Sequence, residues 1–463
     1  MEYIENKTFD EINVGDSARL VRTLTMNDIS LFAAISGDIN PAHVDKEYAK
    51  SDLFHKIVAH GMWGGSLIST LLGTKLPGPG TIYLNQTLSF KKPVILGDTL
   101  TVTVTVTAKD EKTHRLTFDC QCVNQNGDLV IGGIIEVIAP AEKIKRPRVI
   151  LPEVHVHDPG VRHRQLIELT KGLEPIRMAV VHPVDRNSLL GAIDAAEAKL
   201  IIPVLVGPES KIRTVAEIEG IDLSPYELVA TKHSHEAAAR AVAMARAGEV
   251  EALMKGSLHT DELMHEVVAK DTGLSTERRM SHVFVMDVPT YPRPLLITDA
   301  AINIYPDLED KRDIVQNAID LALVLGIENP RVAILSAVET VTPRIRSTVE
   351  AAALCKMADR KQITGGVVDG PLAFDNAVSE EAAKIKGIIS PVVGKADILV
   401  VPDLESGNML AKQLEYLAEA QSAGIVIGAR VPIVLTSRAD NALSRMASCA
   451  IALLLARKRR SKL

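Results

Sequence analysis

The chain has 463 residues, 46% of them hydrophobic and 24% charged, with a formal net charge of -6 and a pI of about 6.1. That length calls for two or three hydrophobic cores rather than one, and the charge provides no global basic field for nucleic acid. No apolar run approaches a membrane span, and the start MEYIENKTFDEINVGD is charged where a secretory signal would be apolar, so a soluble intracellular protein with no membrane partner is expected.

Residues 1–140 read as one main helix among several strands. The stretch SGDINPAHVD, 36–45, places Asp38 and His43 five positions apart. On a continuous helix, at 3.6 residues per turn, they would point toward different faces. Pro41 disfavours the α region for Asn40, and Gly37 loosens the chain before the acid, so a loop is expected that can turn both side chains into one cavity. The competing reading is an Asx turn, in which Asp38 and Asn40 bond the backbone ahead of Pro41. Next, HGMWGGSLISTLLG carries Leu67, Ile68, Leu71 and Leu72 as the apolar stripe of a helix. TIYLNQTLSFKKPV reads as a strand, and TLTVTVTVTAK (99–109) alternates Thr with Leu100, Val102, Val104 and Val106, the period of a half-buried strand. RLTFDCQCV and LVIGGIIEVIAP meet through Asn126-Gly127, a hairpin signal. Cys120 and Cys122 share a strand face with Leu116 and Phe118, and neither they nor Cys355 and Cys449 have metal-ligand spacing, so structural roles are expected. The first half is therefore an α+β domain, one long helix wrapped by an antiparallel sheet.

Residues 141–160, AEKIKRPRVILPEVHVHDPG, mix charge and proline without periodicity and read as a linker. His155, His157 and His163 lie in and just after it without further ligands and are expected to be solvated. From 161 the pattern changes: IRMAVVHPV, IPVLVGP, EALMKGS, HVFVMDVP, PLLITDA, RVAILSAV, TGGVVDGPL, ADILVVPDL and VPIVLTS are short apolar strands. SHEAAARAVAMARAGE, KRDIVQNAIDLALVLG and MLAKQLEYLAEAQSAG are helices between them. This alternation predicts α/β architecture, parallel sheet sandwiched by helices in three layers and dividing into two lobes. In such folds ligands sit at the carboxyl ends of strands. G-x-G-x-x-G after a strand and the P-loop pattern are both missing, which argues against a bound dinucleotide or nucleoside triphosphate.

The segment FAAISGDINPAHVDKEYA, with its G-D-x-N-P-x-H string, resembles the signature of the MaoC-like, (R)-specific enoyl-CoA hydratases, which have the hotdog fold. AHGMWGGSLISTLLG and GPGTIYLNQTLSFKKPVILGDTLTV extend the resemblance over 1–140. It implies that Asp38 and His43 hold a catalytic water, one taking its proton and the other helping to deliver a proton to the α-carbon, giving a 3-hydroxyacyl-CoA. The chemistry also needs a donor for the enolate oxygen. Gly61, at the start of the helix, offers a backbone N–H and the positive end of the helix dipole. Ser69 matches a polar position near the family's active site and is read as orienting Asp38 or substrate, or as a serine tolerated on the helix.

From 161 onward VVDGPLAFDNAVSEEAAKIKG, VVGKADILVVPDLESGN and VPIVLTSRAD resemble the phosphate acetyltransferase and phosphate butyryltransferase family, DGPLAFDNAVS looking closer to the butyryl branch. The family exchanges an acyl group between CoA and inorganic phosphate in a direct ternary complex, so no metal or redox cofactor is expected; acyl-CoA, enoyl-CoA and phosphate enter as substrates. Lys255, Ser257, Ser336 and Asn408 follow strands and can contact substrate. Ser437 and Arg438 fall where the family keeps a catalytic pair, Ser437 as an oxyanion donor and Arg438 as a phosphate or carbonyl clamp. In the acetyl branch a catalytic acid follows the serine by seven residues, where this chain has Ser444. Asp440 is the nearest replacement base, or the N-cap of the helix NALSRMASCAIALLLAR. An arginine of the family is His265 here, with Arg278 or Arg279 as replacements, or a phosphate contact is missing. Lys395 and Asp403 are read as structural, fixing loops. The alternative to active transfer is a non-catalytic acyl-CoA-binding, regulatory or oligomerising module.

Two CoA-dependent halves in one chain imply a bifunctional enzyme, homo-oligomeric through both domains. The terminal SKL matches a peroxisomal address, but transfer chemistry of this kind points to a bacterium, so SKL is taken as coincidental and the cytoplasm as the location.

Overall fold

The computed structural model describes residues 3–149, 154, 160–435 and 441–460, and the chain divides into two units, Met1–His157 and Asp158–Leu463.

In the first unit a five-stranded antiparallel sheet runs in the order Ser17–Thr23, Thr99–Asp110, Arg115–Val123, Leu129–Ile138, Ile82–Phe90. It packs on the helix Gly61–Thr74, whose Trp63, Ile68, Leu71 and Leu72 are buried. The Thr/apolar alternation does what its period requires: Leu100, Val102, Val104 and Val106 all face the core. Register places Val102 opposite Cys122, Val104 opposite Cys120 and Val106 opposite Phe118, so both cysteines serve as small core side chains. Each fully buried side chain of Val or Leu size contributes about 1.5–3 kcal/mol. Part of the stretch expected to be linker folds back, Lys145–Pro147 pairing antiparallel with Tyr3–Glu5.

The edge strand Ile82–Phe90 approaches its neighbour closely at Gly133, where an added Cβ would lie 2.0 Å from the Thr87 carbonyl oxygen. Gly133→Ala forces the strands apart and is expected to destabilise the first unit by about 3 kcal/mol. Urea unfolding checks this, and an unchanged midpoint would mean that the edge strand shifts freely.

In the second unit an eleven-stranded sheet runs Glu227–Ala230, Ile201–Gly207, Ile176–Val181, Ala252–Lys255, Ile433–Val434, Gln421–Ile427, Ser281–Asp287, Leu295–Thr298, Ile398–Val400, Arg331–Leu335, Val367–Leu372. The first five are parallel to one another, as are the last four. Between these sets Gln421–Ile427 and Ser281–Asp287 pair antiparallel with each other and with their outer neighbours. The two lobes therefore share one mixed sheet, and strand sense reverses from one lobe to the other. The short connection from Ser281–Asp287 to Leu295–Thr298 leaves no room for a crossover helix, which a parallel pair would need.

Besides Tyr3–Glu5, Ser17–Thr23 and Lys145–Pro147 of the first unit, two strands of the eleven-stranded sheet are missing from the sequence reading, Glu227–Ala230 and Gln421–Ile427. The second lies partly in what reads as the tail of a helix; the helix stops at Leu417, and Glu419 adopts a left-handed φ of 54° that cannot continue it. His163 is also corrected: it lies on the helix Val161–Glu168, fully buried, with Nε2 3.4 Å from the Val285 carbonyl oxygen. With Leu166 three residues on, His163 forms the buried face of this helix, which packs against the strand Ser281–Asp287, and burial lowers its pKa. His155, His157 and the terminal SKL lie outside the described residues. Among the described residues no helix is long and apolar enough to cross a membrane.

Candidate functional site

The helix Met26–Ser36 ends at Gly37, whose φ of 74° supplies the left-handed turn that an L side chain resists. Asp38 follows, and its Oδ1 accepts the Asn40 amide at 3.1 Å, so the Asx turn is formed. Asn40 Oδ1 accepts from the Ala42 amide, capping a one-turn helix Pro41–Val44 with Pro41 at its first position. His43 thus sits on a short helix rather than on a loop, and the break is confined to 37–40. A proline suits a first helical turn, because its missing N–H has no partner there in any case.

His43 Nδ1 lies 2.9 Å from the Val58 carbonyl oxygen, and His60 Nε2 lies 2.9 Å from the Asp38 carbonyl oxygen. The two rings are 4.0 Å apart between centroids. A carbonyl only accepts, so in each neutral ring these nitrogens carry the proton, leaving lone pairs on His43 Nε2 and His60 Nδ1. One donor atom each from Asp38, His43 and His60 falls within 4.8 Å of the others. Sequence reasoning missed His60 as a partner of this pair, because the contact with the Asp38 carbonyl depends on where the helix Gly61–Thr74 docks.

Gly61 opens the helix Gly61–Thr74, so its N–H has no intrahelical acceptor. A Cβ there would lie 3.2 Å from the Phe90 ring. His43, His60, Gly61, Phe54, Phe90 and Pro93 help line a cavity of about 390 Å³. Ser69 does not line it; that residue opens on another cavity, of about 610 Å³, with Phe32, Met62 and Tyr83. Asp38, expected to turn into the same cavity as His43, is exposed and does not line it, although a carboxylate oxygen lies within 4.8 Å of a ring nitrogen of each histidine. The Gly61 N–H and helix dipole suit a thioester oxygen gaining negative charge.

In the second unit Gly256 turns the chain immediately after the strand Ala252–Lys255. A Cβ there would lie 2.4 Å from the Val181 carbonyl oxygen, and the Gly256 and Ser257 amides donate to Val181 and His182. His182 Nδ1 in return approaches the Ser257 carbonyl oxygen at 2.7 Å, an anchor the sequence did not reveal. Burial disfavours charge on Asp185, but hydrogen bonds from Ser188 and the Ser257 hydroxyl outweigh it and hold the carboxyl below the usual range. Lys255 is buried with Nζ 3.2 Å from the Leu258 carbonyl oxygen. These groups share a sheet end with Leu435, the last described residue before 436–440. Ser437, Arg438 and Asp440 lie outside the described residues.

Ser336 and Asn408 follow strands of the opposite sense. The Ser336 hydroxyl is 2.9 Å from that of Ser347, and Asn408 Nδ2 donates to the Ala300 carbonyl at 3.3 Å. Lys395 forms an ion pair with Glu380 at 2.9 Å, and Asp403 caps the helix Leu404–Leu417 through the Ser406 amide, both structural tasks. His265 is exposed on the helix Thr260–Val268. Arg278 and Arg279 open, with Arg312, on a cavity of about 600 Å³. Arg279 is aimed by a buried relay: Asp299 accepts three backbone amides and the Asn303 amide group, and Asn303 Oδ1 accepts Arg279 Nε at 2.7 Å. Burial pushes the Asp299 carboxyl up.

Burial pushes the thiols of Cys120, Cys122, Cys355 and Cys449 up to about 12. At pH 8 their thiolate fraction is on the order of 1 in 10,000, too small for nucleophilic work. The native chain is expected to leave all four unmodified by a thiol-reactive dye at pH 8 and to release them only on unfolding; rapid native labelling would contradict this. Acyl transfer through a cysteine thioester therefore has no support.

A family model described as "Phosphate acetyl/butaryl transferase" matches residues 229–453, and one described as "MaoC like domain" matches 12–121. A phosphate acetyltransferase of Rhizobium meliloti is 65% identical over 300 residues, which are 65% of this chain and 95% of that protein. The solved structure of a branched-chain phosphotransacylase from Enterococcus faecalis is 29% identical with a TM-score of 0.52, covering 61% of this chain and 99% of that one. An R-hydratase from Pseudomonas aeruginosa is 41% identical with a TM-score of 0.33, covering 34% of this chain and 99% of that one. The chain belongs to the phosphate acetyl/butyryl transferase family, with a MaoC-like hotdog domain ahead of the transferase region.

Proposed function

We propose that the chain is a bifunctional CoA-thioester enzyme, hydrating short enoyl-CoA to (R)-3-hydroxyacyl-CoA and exchanging an acyl group between CoA and inorganic phosphate. The clustering of Asp38, His43 and His60 within 4.8 Å, with His43 and Gly61 lining one cavity, is the observation that carries the hydratase half. In this reading the water oxygen bonds to the β-carbon, its proton passes to the Asp38–His43 pair, and a proton is returned to the α-carbon while the Gly61 N–H holds the enolate oxygen.

For the second half, identity of 65% to a phosphate acetyltransferase favours acetyl over butyryl as the acyl group. The CoA sulfur attacks the acyl phosphate carbonyl carbon, Ser437 and Arg438 hold the oxyanion and phosphate, and collapse expels inorganic phosphate. No step calls for a metal or redox cofactor. The second reading, a transferase region that binds acyl-CoA without turnover, draws on Ser444 standing where the acetyl branch has its acid. A homo-oligomer is part of the proposal: the edge strand Ile82–Phe90 leaves Ile82, Tyr83, Leu84 and Phe90 exposed, a surface suited to a second copy. We assign the enzyme to a bacterial cytoplasm.

Purified full-length chain is to be assayed for crotonyl-CoA hydration and for CoA-dependent breakdown of acetyl phosphate. Both activities are expected. Hydration without acetyl phosphate turnover would leave the binding-module reading, and neither would overturn the proposal.

A further inference from the structure

We propose that Asp38, His43 and His60 form a binding site for a zinc-class divalent cation, and that the bound cation inhibits hydration by taking the place of the reacting water. The inhibitory half rests on the hydratase reading; the binding half rests on geometry alone.

A histidine that ligates a metal almost always donates its other ring N–H to a carbonyl or carboxylate, which fixes the tautomer and orients the ring. Both rings here have that support, His43 from the Val58 carbonyl and His60 from the Asp38 carbonyl. The consequence for His60 is unusual. Its Nδ1 is buried and has no hydrogen-bond partner, although the residue is only 2% exposed. A buried nitrogen with an unused lone pair is costly to keep, and a cation would satisfy it. The Asp38 carboxylate is exposed, which gives a cation access from solvent and leaves that side chain able to move.

A tetrahedral zinc ion about 2.1 Å from each ligand places the ligand atoms about 3.4 Å apart. The three donors lie within 4.8 Å, so the widest pair must close by at most about 1.4 Å, within reach of a carboxylate rotation. Two imidazoles and one carboxylate suit Zn²⁺, Co²⁺ or Ni²⁺ rather than Mg²⁺ or Ca²⁺, which prefer all-oxygen sets. The fourth position stays open to water. Coordination consumes the His43 lone pair and the Asp38 charge that would otherwise take the water's proton, so the cation competes with the base rather than assisting it.

The test uses the full chain stripped with EDTA. Titration with Co²⁺ is expected to give one equivalent with tetrahedral visible absorption, displaced by Zn²⁺, and crotonyl-CoA hydration is expected to fall with Zn²⁺ and recover with EDTA. His60→Gln should weaken Co²⁺ binding by at least about 10-fold. Because His60 is buried and its variant can misfold, Asp38→Ala at the exposed ligand is the companion variant and should weaken binding similarly. A Co²⁺ spectrum that neither variant alters, or the lack of a tetrahedral spectrum in the parent, overturns the site. Hydration untouched by saturating Zn²⁺ overturns the inhibition. If the chain shows no hydration at all, the spectrum still decides the metal site, so the two readings fail separately.

Discussion

Asp38→Asn is expected to lower kcat/KM for crotonyl-CoA hydration by about 100- to 10,000-fold, the usual contribution of a positioned acid or base, with the urea midpoint unchanged. The substitution separates the two tasks of this side chain. Its structural task is the Asx turn, in which Oδ1 accepts the Asn40 amide at 3.1 Å. An asparagine Oδ1 accepts the same bond, so the turn, the Asn40 cap and the placement of His43 on Pro41–Val44 all survive. The His60 contact survives too, because it is made to the backbone carbonyl of residue 38 and not to the carboxylate. Only the negative charge is removed, and with it the means of drawing a proton from water. Retained turnover in a folded variant would reduce Asp38 to a turn residue; loss of both fold and turnover would show that the turn needs the charge.

Much of this arrangement is written in local sequence, and the exceptions share a cause. The Thr/apolar alternation of 99–109, the Asn126-Gly127 hairpin and the core placement of Cys120 and Cys122 follow from period and turn chemistry, which act between neighbours in the chain. Asp38 and His43 were legible because one short segment carries both. His60 was not, since its bond to the Asp38 carbonyl depends on where the long helix docks, a tertiary fact with no local signature. Ser69, chosen because it matches a polar position of the family, opens instead on the cavity bordered by Tyr83, because eight residues past Gly61 the helix has advanced about 12 Å and turned about 80° beyond two full turns. The strand Gln421–Ile427 was hidden for a related reason: AEAQSAG has helical composition, and only its antiparallel pairing with Ser281–Asp287 draws it into the sheet. Asn303 likewise reads as an ordinary loop residue until the fold sets it between Asp299 and Arg279.

Asp440→Asn is expected to lower acyl transfer by about 100- to 10,000-fold without changing Tm, and Asn441→Ala to do the reverse. The sequence left Asp440 with two roles, replacement base or cap of the last helix. In the structure the helix Ala442–Arg460 is capped by the next residue: Asn441 Oδ1 accepts the Ser444 amide at 2.8 Å. Loss of that cap in Asn441→Ala should cost about 1 kcal/mol of stability with acetyl phosphate turnover per folded molecule retained. With the cap supplied by Asn441, we propose that removal of the proton from the CoA thiol is the task of Asp440. Ser444 cannot perform it, being a buried hydroxyl that is not a base at neutral pH. The pH profile makes the assignment sharper. A free thiol ionises with a pKa of about 8.5, so solvent supplies thiolate above that pH without help. The defect of Asp440→Asn should therefore shrink as pH rises through about 8.5, whereas a merely structural role would leave it constant. A variant with full activity at neutral pH would remove Asp440 from the chemistry and place the burden of CoA activation on Arg438, whose positive charge can lower the thiol pKa without accepting its proton.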